Sequence, residues 1–334
     1  MSGEPFRSSI FETITYCPFR PRIGRAKGKV LATRAGIVVG GGWLWRSLYH
    51  HGWVTIRAIA IAIASLLRRG VAPVAAMGPP VGLIHSLWSA GYYHWLTESL
   101  PRAYLLREAW PGVVPILPRG HYAAFAPSLA ALGFDRIEWF PDGRNAIIDR
   151  PYLSECPPRF GTTDPALLNQ VRRAVLDHFE LPANGSAKQL VYVSRAQARG
   201  RRVANEAEVV AMLDKLGATI VCFEDLDFAG QVAMMDQTQL LVSIHGAGLT
   251  NMMWMRPGGA VIELLARRNG VFDWNVVRGS FLHDACYVRL AEAMGLRHRA
   301  VVGQAHNSRF SGTWNADLTV DVSCLLEAIN ELRA

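Results

Sequence analysis

From residue 113 onward the chain repeats one pattern, a short apolar run followed by a stretch with helical periodicity, and this constrains its fold more than any other feature. "VVPILPRG", "RIEWF", "LVYVS", "ATIVCF", "LLVSI" and "AVIELL" read as strands. "APSLAALGF", "PALLNQVRRAVLDHFE", "NEAEVVAMLDKLG" and "FAGQVAMMDQT" read as the helices around them. Strands that alternate with helices pair in parallel, because each return crossing needs a helix's length, so the pattern predicts an α/β architecture with a largely parallel sheet. A chain of 334 residues is too long for one small core. The polar stretch Leu181–Gln189, with its Pro, Asn and Gly, is the best linker candidate. The economical picture is two α/β halves with a cleft between them. Residues 1–182 form an N-terminal half, in which 1–83 carries little pattern; 183–316 form a C-terminal half, and 317–334 a closing helix.

Local signals refine this picture. "SAGYYHWLTESLPRAYLLREAW" reads as a helix that Pro101 should kink or end. Asn205 and Glu208 have capping-box spacing ahead of a helix that Gly217 stops. "VTIRAIAIAIASLL" (Val54–Leu67) is too short for a membrane span and carries Arg57, with Arg68 and Arg69 directly after, so it reads as buried core; the alternative is a segment lying on a membrane surface. The aromatic stretch Gly41–Trp53 reads as packing rather than sugar stacking.

Composition narrows the function. A formal charge of +8 suits an anionic partner such as a phosphate-bearing ligand, although basic proteins are common. No aromatic-interleaved basic stripe points to nucleic acid. Five cysteines, Cys17, Cys156, Cys222, Cys286 and Cys324, are scattered without C-x-x-C spacing, which argues for a reducing compartment and against a zinc cluster. The first residues lack the basic-then-apolar layout of a signal peptide.

Four motifs carry chemistry. In "LLVSIHGAGLTNMMWMRPGGAVIELL" a buried strand runs into His245-Gly246-Ala247-Gly248 and then a helix-like segment. Such a junction leaves backbone N–H groups pointing outward at the positive end of a helix and can hold a phosphate; the two glycines would permit unusual dihedrals and close approach. The same spacing also fits a tight turn with a core histidine. Glu263 ends the next apolar run, where a carboxylate could accept from ribose hydroxyls or simply sit in a salt bridge. Ser194 and Arg195 end another strand, with Arg199, Arg201 and Arg202 following, and guanidinium groups suit bidentate phosphate binding, though a basic loop is usually a solvated face. His94 and Glu98, four apart on a helix, form either a general base with its orienting carboxylate or an ordinary surface pair. Asp225 and Asp227 have the D-x-D spacing that holds a divalent metal in many sugar transferases, a two-residue signal of little weight. No G-x-S-x-G elbow, P-loop, G-x-G-x-x-G or H-E-x-x-H occurs.

Taken together, "YYHWLTESLPR" (Tyr92–Arg102), "VYVSRAQARGRRVANE" (Val191–Glu206) and "HGAGLTNMMWMRPGGAVIEL" (His245–Leu264) resemble glycosyltransferase family 61. The resemblance implies a GT-B fold, two Rossmann-like domains facing a central cleft, with the donor on the C-terminal half. It also implies an inverting, metal-independent transfer from a nucleotide-diphosphate sugar, a UDP-sugar first, with that sugar as substrate and no resident cofactor. His245, Gly246, Ala247, Gly248 and Asn251 would hold the pyrophosphate, Ser194, Arg195 and Arg202 would neutralise it, Glu263 would bind ribose, and Cys222–Asp225 would flank the base. His94 would be the catalytic base with Glu98 orienting it, Glu98 itself being the runner-up. The chain looks like the bacterial branch, linked to capsule, lipopolysaccharide or other surface-glycan assembly. A glycan or lipid-linked acceptor and a cytoplasmic location follow from that resemblance, with peripheral attachment to the inner face of the cell membrane as an option. Two rivals stand beside it, a catalytically silent nucleotide- or glycan-binding relative and a metal-dependent transferase using Asp225 and Asp227.

Overall fold

A computed structural model describes residues 17–50, 52–74, 78–158, 161–181, 187–198, 200–267, 285–306 and 316–333. Most of the expected linker (182–186) and Arg199 lie outside the described residues. The chain is mixed α/β and separates into two compact units, one of residues 17–178 and the other from Phe179 onward.

The N-terminal unit holds two sheets. Its strands in chain order are β1 (Ile23–Arg25), β2 (Lys29–Ala32), β3 (Val38–Val39), β4 (Val71–Pro73), β5 (Val81–Leu83), β6 (Val114–Leu117), β7 (Glu138–Trp139), β8 (Asn145–Asp149) and β9 (Tyr152–Ser154). One sheet has the order β1-β9-β5-β6-β7, parallel except for β1, and the other has the order β3-β2-β8-β4. A single core joins them, with Val30, Val38, Ala146 and Ile148 from the second sheet packed with Val81, Leu83, Ile116 and Leu153 from the first. The alternation along β8 is the cause: Ala146 and Ile148 point inward while Ile147 and Asp149 point out. His85 sits in this unit with Nε2 on the Thr33 carbonyl at 3.1 Å, and burial pushes its pKa down to about 4. A histidine held neutral is protonated in the unfolded chain first, so stability should be full above pH 6.5 and fall as the pH drops toward 4. Urea unfolding should show a loss of about 2 kcal/mol between pH 7 and pH 5, and His85→Gln should flatten that slope.

Helices α1 (Gly52–Arg69), α2 (Tyr92–His94), α3 (Leu100–Ala109), α4 (Ala126–Ala131) and α5 (Pro165–His178) complete the unit. Two expectations need correction here. Pro101 does not break its helix: a π-turn over Trp95–Ser99 widens the spiral, Leu100 N–H reaches back five residues to the Trp95 carbonyl, and α3 continues through the proline. Pro101 has no N–H for the Thr97 carbonyl four residues back, and the Thr163 hydroxyl donates to it instead at 2.6 Å. Thr163→Val keeps the shape and removes this donor, which should cost about 1 to 3 kcal/mol in chemical denaturation. The second correction concerns Val54–Leu67, which is not wholly buried. Among its described side chains, helix α1 buries only the narrow stripe of Val54, Ala58 and Ala62, the two alanines packing against Ile37, Leu48 and Leu87. In Gly41–Trp53, Trp43, Leu48 and Tyr49 pack inside as expected, but Trp45 stands exposed.

The C-terminal unit is one doubly wound sheet. Its strands are β10 (Gln189–Val193), β11 (Thr219–Val221), β12 (Thr238–Ile244), β13 (Ala260–Arg267), β14 (Arg297–His306) and β15 (Asp317–Thr319), in the order β11-β10-β12-β13-β14-β15, with only β15 antiparallel. The helices are α6 (Glu206–Lys215), α7 (Phe228–Asp236), α8 (Cys286–Ala293) and α9 (Val322–Arg333). Helices α6 and α9 cover the face lined by Leu190, Tyr192, Val242 and Ile262. This explains the near-continuous apolar strands, buried on both faces. Asn205 does not close the expected capping box: its amide exchanges two bonds of 2.9 Å with the backbone of Val320, tying α6 to the start of α9. Numbered within this unit, the parallel strands run 2-1-3-4-5. Connections from β10 and β12 leave in opposite directions, which creates a crevice at their carboxyl ends where such sheets bind ligands.

Candidate active site

Ser194-Arg195 follow β10, and His245-Gly246 follow β12, so the topology alone brings both motifs to the switch point. Gly246 is extended (φ 165°), and neither it nor Gly248 has a left-handed φ, so dihedral freedom does not explain these glycines, contrary to the sequence expectation. Space explains Gly246: a Cβ there would lie 3.1 Å from Arg195 Nη1 and 3.6 Å from Arg201 Nη1. Two guanidinium groups therefore converge on one backbone turn. Among the described residues neither has a carboxylate partner, and Arg195 Nε is buried with no hydrogen-bond partner. Burial first, and then the charge of Arg195, lower the pKa of Arg201. Arg201 reaches the turn with φ +56°, a left-handed conformation that costs a non-glycine residue about 1–2 kcal/mol. Two like charges brought together by a strained residue create a locally positive turn that favours an anion.

The histidine of the turn is tightly held. His245 Nδ1 donates to Glu263 Oε1 at 2.5 Å, and His298 Nε2 donates to Glu263 Oε2 at 2.8 Å. The Tyr287 ring packs edge-on against His245 with centroids 5.1 Å apart. Glu263 is 0 % exposed and lies in the middle of β13, in register with Ser243 and Ala300, not at the strand end. Burial alone would raise its pKa, but the hydrogen bonds and charges of the two histidines lower it. With both oxygens engaged and no surface, Glu263 is not placed to receive ribose hydroxyls. It fixes the tautomer and direction of His245, leaving Nε2 as that ring's atom for a ligand.

Other expected donor residues part company with the turn. Arg202, one residue beyond Arg201, is half-exposed and pairs with Asp317, Nη2 to Oδ2 at 3.9 Å. Ser194 gives its hydroxyl to Glu206 at 2.8 Å, where Tyr192 also donates. Asn251 is buried, its amide donating to Gln231 and its carbonyl accepting from Trp254, so it braces the segment rather than facing a ligand. Ala247 opens the 3₁₀ segment Ala247–Trp254, and Gly248 faces Phe223 and Val193 at ordinary contact distance. Phe223–Asp225 form a 3₁₀ turn after β11. Gln197 donates to both oxygens of Asp225 at 3.0 Å, while Asp227 caps α7 through Gly230 N at 2.7 Å. The two carboxylates thus serve separate local bonds, and among the described residues no group of three or more His, Cys, Asp or Glu converges as metal ligands do.

The N-terminal unit holds the other pair. His94 Nδ1 donates to Glu98 Oε1 at 3.1 Å, and Tyr49 donates to Glu98 Oε2 at 2.6 Å. Glu98 is buried, and the pair lies along the π-turn, a rare helical geometry that recurs at functional sites. Tyr49 also bonds Ser86, which bonds Ser89, giving Glu98 a chain of hydroxyls behind it. Burial, and then the Glu98 charge, raise the Tyr49 pKa well above its ordinary value, so Tyr49 remains a donor. The Trp88 ring stacks on His94 with centroids 6.4 Å apart. Arg102, a turn further on, is buried against Ser154, with Nε to Oγ at 2.8 Å and Nη2 to the carbonyl at 2.7 Å, and pins α3 to β9.

His298 and Tyr49 are the members that sequence reasoning missed, since they reach their carboxylates across 35 and 49 residues. Arg201 stood in the expected run of arginines, where the resemblance pointed to Arg202.

The chain is similar to the EGF domain-specific O-linked N-acetylglucosamine transferase of Drosophila melanogaster, 28% identical over 144 residues, covering 42% of this chain and 25% of that protein. It is also similar to the alpha-1,3-arabinosyltransferase XAT2 of Oryza sativa subsp. japonica, 29% identical over 134 residues, covering 39% of this chain and 21% of that protein. The alignments thus span about a quarter or less of each relative's length. The family model Glycosyltransferase 61 matches residues 92–262, just over half of the chain and a span that includes His94, Glu98, Arg195, Arg201 and His245 but stops one residue short of Glu263, and the chain belongs to that family.

Proposed function

We propose that this protein is an inverting glycosyltransferase of the GT-B type that takes a sugar from a nucleotide diphosphate, UDP first, and passes it to a glycan or lipid-linked hydroxyl without a metal ion. One observation carries this reading: Arg195 and Arg201, without carboxylate partners among the described residues, converge on Gly246 at the switch point of a doubly wound sheet. Their two positive charges and the N–H groups opening the 3₁₀ segment match a diphosphate and take over the charge neutralisation a divalent ion supplies elsewhere. In the reaction the acceptor oxygen bonds to the anomeric carbon, the bond from that carbon to the β-phosphate oxygen breaks, and the bonding pair leaves with the diphosphate. His245, directed by Glu263 and His298, donates a hydrogen bond to the departing oxygens. The acceptor's proton goes to His94, with Glu98 positioning the ring rather than acting as the base, because both its oxygens are already engaged. The setting we propose is bacterial surface-polysaccharide assembly, in which the acceptor would be a glycan or a lipid-linked sugar. The test is thermal unfolding with UDP, GDP and CMP in EDTA. A rise in melting temperature with one nucleotide diphosphate supports the reading, and no shift with any of them, in folded protein, overturns it.

A further inference from the structure

Every large hydrophobic side chain that is well exposed among the described residues lies between Val39 and Ile147, in the N-terminal unit, and half of them are on α1. At about 100° per residue, Ile56, Ile59, Ile63 and Leu67 fall within an arc of about 80°, turned away from the Val54–Ala58–Ala62 stripe that packs on the unit. Exposure reaches 71 % at Ile56, 53 % at Ile63 and 82 % at Leu67. The helix is therefore apolar on two faces, of which the fold covers one.

Charge identifies what covers the other. Arg57 and Arg68 lie together about 80–100° beyond the Leu67 edge of the arc, with Arg57 over the Trp88 ring at 5.6 Å. Arg69 ends the helix with Nη1 toward the Gly143 carbonyl at 3.5 Å, and α1 contains no acidic residue. A second copy packed α1 against α1 would set arginine against arginine, because the helix has no carboxylate of its own. An anionic bilayer offers hydrocarbon to the isoleucines and phosphate to the guanidinium groups. No helix among the described residues is long and apolar enough to cross a membrane, which leaves a helix lying in the interface. Exposed Trp45, next to Arg46 in the same unit, has the amphipathic ring that favours such boundaries.

We propose that the outer face of α1 docks the protein on an anionic lipid surface, with Ile56, Ile59, Ile63 and Leu67 entering the headgroup boundary and the basic end of the helix, Arg68 and Arg69, meeting lipid phosphates. This inference is independent of sugar transfer. It is tested with the full chain and vesicles of phosphatidylcholine containing 30 mol% phosphatidylglycerol, pure phosphatidylcholine serving as control. Sedimentation should show binding to the anionic vesicles, at least tenfold weaker on the neutral ones and in high salt. Ile63→Ser with Leu67→Ser, both on exposed positions, should cut binding at least tenfold with melting temperature and nucleotide response unchanged; Arg68→Gln with Arg69→Gln should weaken it and reduce its salt dependence. Absence of binding, binding indifferent to headgroup charge, or binding unaffected by the serine pair would overturn the proposal. So would a lipid-free dimer that the serine pair converts to monomer, since the face would then seat a second copy.

Discussion

The His94→Ala enzyme should transfer sugar about 10²- to 10⁴-fold more slowly than the wild type, the usual contribution of a general base, while its affinity for UDP stays the same. The retained affinity follows from placement, since every group assigned to the diphosphate lies in the other unit. Alanine also strips Glu98 of the donor on Oε1, and a buried carboxylate that loses a partner costs stability as well as rate. His94→Asn separates the two effects, because its amide can still donate toward Glu98 but cannot accept a proton. It should match alanine in turnover and the wild type in melting temperature. Tyr49→Phe, which removes the bond to Glu98 Oε2, should lower kcat and shift the acid limb of the pH–rate profile, as expected when Glu98 acts through His94. If Glu98 were itself the base, His94→Asn would remain substantially active.

Arg195→Met should weaken UDP binding by about 10- to 150-fold, the range for loss of a charge-assisted hydrogen bond, and pairing it with Arg201→Met should abolish the thermal shift. The same substitution should leave the nucleotide-free protein no less stable than the wild type. Arg195 and Arg201 repel one another at Gly246, and methionine keeps the stem packing while removing one charge. Added salt should raise the melting temperature of the wild type by screening that repulsion and leave the double variant unaffected by this term. A site that gains stability as it loses ligand is built for the ligand, whereas a structural arginine pair would lose both.

The alternation of apolar runs and helical stretches made the C-terminal sheet legible, because its buried strands lack any polar face to confuse with a helix. The strand-end positions of Ser194-Arg195 and His245-Gly246 were legible too, since each follows its strand directly. What each side chain faces there was not. Periodicity places Arg201 and Arg202 in the same loop, and only the left-handed turn at Arg201 decides which guanidinium meets Gly246. Glu263 read as a strand end because the apolar run stops near it, yet β13 continues to Arg267. Its two histidine partners come from β12's end and from β14, a pairing that no local window contains. Helix α1 misled for a different reason. Composition cannot separate a helix apolar on two faces from one buried all round, and only the packing partners do so. The counterpart after the π-turn was Pro101, a residue that ends most helices, tolerated here because Thr163 supplies the missing donor to the Thr97 carbonyl 66 residues away.

The central claim, that two arginines and a backbone turn hold the donor diphosphate, is tested most directly by a crystal structure with UDP grown in EDTA. The account predicts diphosphate oxygens within hydrogen-bonding distance of Arg195, Arg201 and the Gly246–Ala247 amides, with His245 Nε2 toward the β-phosphate. A diphosphate lying away from Gly246, or one that binds only when a divalent cation is restored and then through Asp225, would contradict it.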